Sequence, residues 1–267
     1  YNFFLKVVIF LFSSFLLLNG LRGNYRFDKS PLTGEDIFFS KNVFLNHLGY
    51  NPVFSFFDSY VKEDVRILSD DEAIIKAYKF FNIKNNKNKH YVRRDIKNVG
   101  MPLMKNIIII MIESLTKSKM SYYGYKYNTT PFLDSLILKS KSFHNIYSSS
   151  IHTHDGIFAT FYGLFSPFSE KTLNSTRNIN YYGLPNILKD NGYSNYFFCG
   201  GDIMFDNMKF FLGNNGFDYV LGEQDFKGYS PENNWGLKDE DLYEVVLKSI
   251  DTIYKKRVPF FINILTV

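Results

Sequence analysis

The chain has 267 residues, 45% of them hydrophobic and 19% aromatic, with 29 Phe and 20 Tyr against a single Trp. This is enough apolar material for one large α/β domain or a domain and a half, and it excludes a disordered chain. The formal net charge is +5, but Lys and Arg are scattered, densest in the Asn-rich stretch 84–97, and no nucleic-acid reader motif accompanies them. The basic balance therefore reads as a solvated linker, and nucleic acid is not an expected partner. Cys199 is the only cysteine, which excludes an intrachain disulfide framework, a Cys-X-X-Cys redox pair and a thiolate zinc site.

The sequence starts at Tyr1 rather than Met and stops at Val267 inside an apolar run, which reads as truncation. Segment 1–21 is apolar almost throughout, interrupted by Lys6, Ser13, Ser14 and Asn19. About 20 such residues span a bilayer as a helix. A cleaved signal peptide is the competing reading, but the segment lacks a small-residue cleavage pattern, and a transmembrane helix is preferred. Arg22, Arg26 and Lys29 on its downstream flank would by themselves favour a cytoplasmic side for the rest of the chain, a weak indication with the upstream flank absent.

Residues 22–81 read as a juxtamembrane helical segment. Two short amphipathic helices fit 35–60, broken by Gly49 and Pro52, and suit either the membrane interface or packing on a soluble domain. A further helix fits 70–81. Residues 82–105 read as a polar Asn/Lys linker.

From residue 106 the pattern becomes α/β. The β-branched run 106–112 predicts a strand buried on both faces of a parallel sheet. A helix is predicted from Pro131 through Leu138, with Thr130 as N-cap. A strand is predicted over 142–147, then a helix over 157–162 and another over 185–189 ending before Gly192. A strand over 194–199 runs into Gly200-Gly201-Asp202. A helix over 206–212 is expected to stop at Gly213, a long amphipathic helix covers 239–254, and a buried strand begins after Pro259.

In open α/β sheets, functional groups collect at the carboxyl ends of strands, where Glu113 sits directly after the Ile-rich run. It is either a turn or N-cap residue or an anion held for a metal. The loop 148–156, Ser-Ser-Ser-Ile-His-Thr-His-Asp-Gly, places Thr153 at or near a helix N-terminus, where free N–H groups and the macrodipole favour an anionic substrate. Capping by Thr153 or Asp155 is the alternative. His152 and His154 flank Thr153; in an extended loop they would share one side and Thr153 the other. No Gly-X-Ser-X-Gly elbow supports a hydrolase triad. His152 remains a candidate substrate contact.

Ile112-Glu113-Ser114, Thr130-Pro131-Phe132-Leu133, the Ser-rich loop with Thr153 and Asp155, Tyr193 with Gly200-Gly201-Asp202, Phe205-Asp206-Asn207, and Trp235-Gly236 with Asp239 together resemble the lipoteichoic acid synthase family, in order and spacing. Upstream, Arg22-Gly23 and the stretch from Phe44-Leu45-Asn46-His47-Leu48 to Asn51-Pro52 are similar to the juxtamembrane part of sulfatase-domain relatives in that group.

The resemblance implies an alkaline-phosphatase-like α/β fold in 106–267: a mostly parallel sheet flanked by helices, incomplete at its C-terminal side, preceded by a membrane helix. It implies an integral protein of the cell membrane with an extracytoplasmic catalytic part. It implies a metal-dependent phosphoglycerol transferase in which Glu113 binds a divalent cation, manganese first and magnesium or zinc as alternatives, and Thr153 is both ligand and nucleophile. The expected donor is a membrane phospholipid such as phosphatidylglycerol, and the acceptor an envelope glycan or polymer. Asp202 is a candidate contact to headgroup or acceptor, or a turn residue.

The chain also departs from the family's pattern. The family completes its metal site with a downstream Asp-His pair that this chain does not reach, so the chain as it stands is expected to be inactive. Where the family carries an aromatic and a basic residue for glycerol phosphate, Asp206 and Met208 stand here. Formylglycine sulfatase chemistry needs a Cys-X-Pro-X-Arg setting, and Cys199 is followed by Gly200, Gly201 and Asp202. Phosphoethanolamine transfer or phosphodiester or sulfuric-ester hydrolysis by the same superfamily are the rival activities, and a non-catalytic membrane-tethered pseudoenzyme the rival of another class.

Overall fold

The computed structural model describes residues 3–22, 40, 43–49, 56, 67–82, 100, 103–166, 172–174 and 180–267. Helix α1, Phe3–Arg22, is the one described helix long and apolar enough to cross a membrane. Most of its side chains stand exposed, from Phe3 at 81% to Leu18 at 65%. Helix α2, Val43–Gly49, ends at the predicted glycine. The rest of the expected juxtamembrane helices and the core of the 82–105 linker lie outside the described residues. Helix α3, Asp70–Phe80, starts at a capping box: the Glu72 amide donates to Ser69 Oγ at 3.4 Å and the Ser69 amide to Glu72 Oε2 at 3.2 Å. Two orphan donors of the first turn are thereby satisfied.

The α/β part is built on four parallel strands, β1 (Ile107–Met111), β2 (Ser194–Cys199), β3 (Tyr219–Leu221) and β4 (Phe260–Leu265), in the order β1-β4-β2-β3. The last strand in the chain is thus inserted between the first and second. All six side chains of β4 are buried, as a strand covered on both faces requires. One face packs against helices α5 (Thr153–Tyr162), α6 (Leu184–Asp190) and α7 (Met208–Asn214). Its centre is a cluster of phenylalanine rings: Phe161 lies 5.1 Å from Phe217 and 6.1 Å from Phe261 between centroids. The opposite face packs against α8 (Asp239–Tyr254), whose Leu242, Val246 and Ile253 meet Phe260, Ile262 and Ile264.

Several expectations are corrected. Among the described residues, strand β1 is the outermost strand and has one covered face: Ile108 and Ile110 are 47% and 49% exposed, alternating with half-buried Ile107 and Ile109. Residues 142–147 form no strand; Phe143, Ile146 and Tyr147 are all exposed, in both phases of the alternation, and the segment pairs with no strand among the described residues. Helix α4, Pro131–Lys139, has Pro at its first position as expected, but the Thr130 hydroxyl donates to Asp134 Oδ1 at 2.9 Å instead of capping the backbone.

The helix expected over 206–212 is displaced. Asp206 and Asn207 take left-handed backbone angles, φ 51 and 57, inside a single 3-10 turn, Phe205–Asn207, and α7 begins after them. Asp and Asn tolerate that region better than other residues with a Cβ. Gly213 does not stop the helix, because glycine weakens a helix interior by about 1 kcal/mol without forbidding it. The chain turns instead at Gly216, φ 110, where a Cβ would lie 2.9 Å from Pro185 Cβ. The short strand β3 was not among the expected elements.

Candidate active site

Glu113 leaves β1 at the carboxyl edge of the sheet, and its backbone is fixed by the neighbouring strand. Its amide donates to Thr266 Oγ1 at 2.9 Å, and the Thr266 amide donates to Met111 O at 3.1 Å. Thr266, only 2% exposed, comes directly after β4. Its role was not anticipated from sequence; a hydroxyl directly after a wholly buried strand is the signal that could have found it. The next residue after Glu113, Ser114, has φ 54. Such a left-handed angle in a residue with a Cβ is uncommon and is held by its surroundings.

Thr153 is the first residue of α5. His152 is the N-cap, extended at φ −101 and ψ 139, and its side chain caps nothing. The Thr153 hydroxyl reaches back to a residue 40 positions earlier and donates to Glu113 Oε2 at 2.8 Å. Its side chain thus points at the carboxylate, and the capping reading of Thr153 is set aside. Both residues are partly buried. A hydroxyl, a carboxylate and an uncapped helix N-terminus now meet at one point, which suits a nucleophile attacking an anionic centre.

The two histidines share a side: their rings stack at 5.3 Å and 15°. His152 is exposed, whereas His154 is buried between two carboxylates, Nε2 3.2 Å from Asp155 Oδ1 and Nδ1 3.3 Å from Asp206 Oδ2. The left-handed turn at Asp206 is what brings that carboxylate under α5. Burial acts to push the Asp155 carboxyl up, but the neighbouring Ser166 and Ser150 hydroxyls and the His154 and His152 rings outweigh it and hold it below the ordinary value. The His154–Asp206 contact was missed in the sequence, because the two residues belong to different elements and one sits in a non-helical turn.

Asp202 lies after β2 and is exposed. Its Oδ1 accepts from the Met204 amide at 2.9 Å and from Gln224 Nε2, the geometry of an Asx turn. Nearby, burial and then the Asp202 charge push the Glu223 carboxyl up. The Cys199 thiol is pushed up to about 11, first by burial and then, against a hydrogen bond from Gly201, by the carboxylates of Glu223, Asp202 and Glu113. The carboxyl ends of β1, β2 and β3 therefore gather acidic groups around one buried thiol, though no group of three or more His, Cys, Asp or Glu among the described residues is placed to hold a metal ion.

Gly200 and Gly201 let a second loop close on this edge. Leu237 N donates to Gly200 O at 2.9 Å, and a Cβ on Gly201 would lie 2.5 Å from Trp235 O. Gly236 is required at φ 143, where a side chain would meet Gly200 O at 2.3 Å. This leaves Trp235 77% exposed beside an open cleft of about 520 Å³ bordered by Lys238, Asp239 and Val267. Asp206 and Met208, which the resemblance put at the expected glycerol-phosphate positions, are both 5% exposed and turned into the core.

The family model described as Sulfatase matches residues 105–267. Phosphoglycerol transferase I of Escherichia fergusonii is 27% identical over 190 residues, which are 66% of this chain and 24% of that protein. Phosphoglycerol transferase I of Salmonella paratyphi B is 28% identical over the same shares. The chain thus spans about a quarter of the length of these curated relatives. Among solved structures, a protein of the alkaline phosphatase superfamily from Vibrio parahaemolyticus superposes with a TM-score of 0.66 at 25% identity, covering 75% of this chain and 50% of that one. The lipoteichoic acid synthase LtaP from Listeria monocytogenes superposes with a TM-score of 0.55 at 22% identity, over 61% and 40%. The fold is alkaline-phosphatase-like.

Proposed function

The chain belongs to the sulfatase family, and on that premise we propose that it carries the nucleophile side of a phosphoglycerol transferase, with Thr153 attacking the phosphodiester of a membrane phospholipid such as phosphatidylglycerol. The observation that carries this reading is the 2.8 Å hydrogen bond from Thr153 Oγ1 to Glu113 Oε2 at the N-terminus of α5. The relatives described as phosphoglycerol transferase I support the class of reaction.

In the proposed cycle the Thr153 oxygen forms a bond to phosphorus as the bond to the diacylglycerol oxygen breaks, and that oxygen leaves with a proton. An acceptor hydroxyl of an envelope glycan or polymer then takes the phosphoglycerol and returns the proton to Thr153. Glu113 accepts the Thr153 proton or holds the hydroxyl oriented, and the first-turn amides of α5 face the phosphoryl oxygens. His152, exposed beside Thr153, and Asp202 are proposed substrate contacts.

Glu113 and Thr153 offer hard oxygen donors, which fit manganese or magnesium better than soft metals, with zinc the third option. When bound there, a divalent cation would lower the proton affinity of the hydroxyl and offset phosphoryl charge. Two donors fill only a part of such a shell, so weak binding and little or no turnover are expected of the residues present here. Helix α1 is proposed to anchor the protein in the cell membrane, with the α/β part outside the cytoplasm.

The test is manganese-dependent release of diacylglycerol from labelled phosphatidylglycerol, measured for the protein in its longest native form. Thr153→Ala is expected to lower it by about a thousandfold or more, and an undiminished rate would overturn the assignment. Turnover of phosphatidylethanolamine in its place would favour phosphoethanolamine transfer, a reading to which the burial of Asp206 and Met208 lends weight.

A further inference from the structure

The first turn of α5, which presents Thr153, has no side-chain cap to hold it. The His152 side chain at the N-cap position caps nothing, and the turn closes on Gly156, whose amide donates to His152 O at 3.2 Å. Glycine is the weakest helix former short of proline, and an uncapped turn built on it frays when left to itself. On the other side of the Thr153 hydrogen bond, Glu113 is fixed to the sheet through Thr266. The helix side of that bond needs a tertiary contact of its own.

His154, next to Thr153 in the same turn, makes that contact. It is buried, with Nδ1 3.3 Å from Asp206 Oδ2 and Nε2 3.2 Å from Asp155 Oδ1. Asp155 belongs to the same turn and moves with it. Asp206 comes from the separate turn that leads into α7, so it alone of the two ties α5 to another element.

The backbone at Asp206 points to the same role. Asp206 and Asn207 stand in succession in the left-handed region, φ 51 and 57, which glycine adopts freely and residues with a Cβ do not. Each carries a side chain with a partner that accounts for it. Asn207 Nδ2 donates to Leu173 O at 2.6 Å, and Asp206 directs its carboxylate at His154. Side chains kept at such angles mark places where the surrounding structure uses them.

We propose that Asp206 is a positioning residue which, through His154, holds the first turn of α5 so that the Thr153 hydroxyl stays on Glu113. The proposal rests on the transferase reading and deepens it. Asp206 is turned into the core and touches no substrate; its effect is on where the nucleophile stands, and a displacement of about 1 Å costs about a hundredfold in rate.

The test is a double-mutant cycle in the longest native form of the protein, with Asp206→Gly, His154→Gln and the two combined. Asp206→Gly deletes the carboxylate and leaves the left-handed turn at least as favourable as before. In diacylglycerol release from phosphatidylglycerol, each single change is expected to lower kcat about a hundredfold with KM within about threefold of its original value. The double variant should lose no more than about threefold beyond the singles, because all three remove one and the same contact. Deuterium exchange supplies a readout that needs no turnover. The Gly156 amide should exchange about tenfold faster or more in all three variants, while the amides of β4 keep their protection.

An Asp206→Gly protein with unchanged kcat and an unchanged Gly156 amide overturns the proposal and leaves Asp206 a turn residue. So does a raised KM at constant kcat, which would make it a substrate contact, and so do losses that multiply in the double variant, which would mean that the two residues act separately. Should Asp206→Gly not fold, Asp206→Asn, which tolerates the same backbone region, takes its place, with the same non-additivity expected on a smaller loss. If the unaltered protein releases no diacylglycerol, the transferase reading fails while exchange at Gly156 still decides whether Asp206 holds α5. Thr153-dependent release that is indifferent to Asp206 would sink only the positioning role.

Discussion

Helix α1 and strand β4 are both apolar runs, and the fold treats them in opposite ways. In β4 all six side chains are buried, Phe261 and Ile262 completely, whereas in α1 Phe10, Leu11, Phe12 and Leu17 are each more than half exposed. A strand needs neighbours to satisfy its backbone, so its apolar side chains are drawn into a protein core. A helix satisfies its own backbone and can present the same side chains to hydrocarbon. Their polar interruptions differ in the same way. Asn19 of α1 donates to Phe15 O, one turn back, at 2.8 Å. Asn263 of β4, 0% exposed, has neither its Nδ2 nor its Oδ1 paired.

The comparison breaks most visibly in β4. Phe261→Ala empties a site between Phe161 and Phe217 and is expected to lower unfolding stability by about 3–5 kcal/mol, read by urea titration of the tertiary fluorescence or near-ultraviolet signal. Next in size is an alkaline effect at Cys199, which pairs in register with Leu265 of β4. Its thiol is pushed from 9.0 up to about 11. Since the folded value is the higher one, its contribution is fully present below pH 9.0 and is lost as pH rises through about 11, an effect of about 2–3 kcal/mol. Cys199→Ala should flatten that part of the stability profile; an unchanged slope would show that the thiol is not its source.

Asn263→Leu sharpens the comparison in the other direction. Removing an unpaired buried amide should raise stability by about 1 kcal/mol, and a fall in Tm would mean that a buried water had been satisfying it. The smallest effect is expected in α1, where Leu17→Ala should leave unfolding of the α/β part within about 0.5 kcal/mol of its original value while weakening retention in a bilayer. A loss of domain stability comparable to that of Phe261→Ala would mean that α1 belongs to the core.

Much of the architecture was readable because it rests on local signals. The bounds of β2 and α8 were legible from a short apolar run stopped by Gly200 and from a helical apolar period over 239–254. Glu113 and Thr153 were legible as individuals, one after an apolar strand and the other at a loop-to-helix junction. The Ser142–Tyr147 alternation and the Gly213 stop misled, because each is a local preference that tertiary packing outweighed.

By itself, then, the sequence determined the α/β class, the membrane-length helix and the two residues at the heart of the candidate site, all of which depend on runs, periods and punctuation along the chain. Only the tertiary structure decided that β4 enters between β1 and β2 and that Thr266 fixes the Glu113 backbone across the strand gap. It also decided that Asp206 turns inward to meet His154 and not outward to meet a substrate. These are contacts between residues far apart in sequence, and their energies depend on distances that no local pattern encodes.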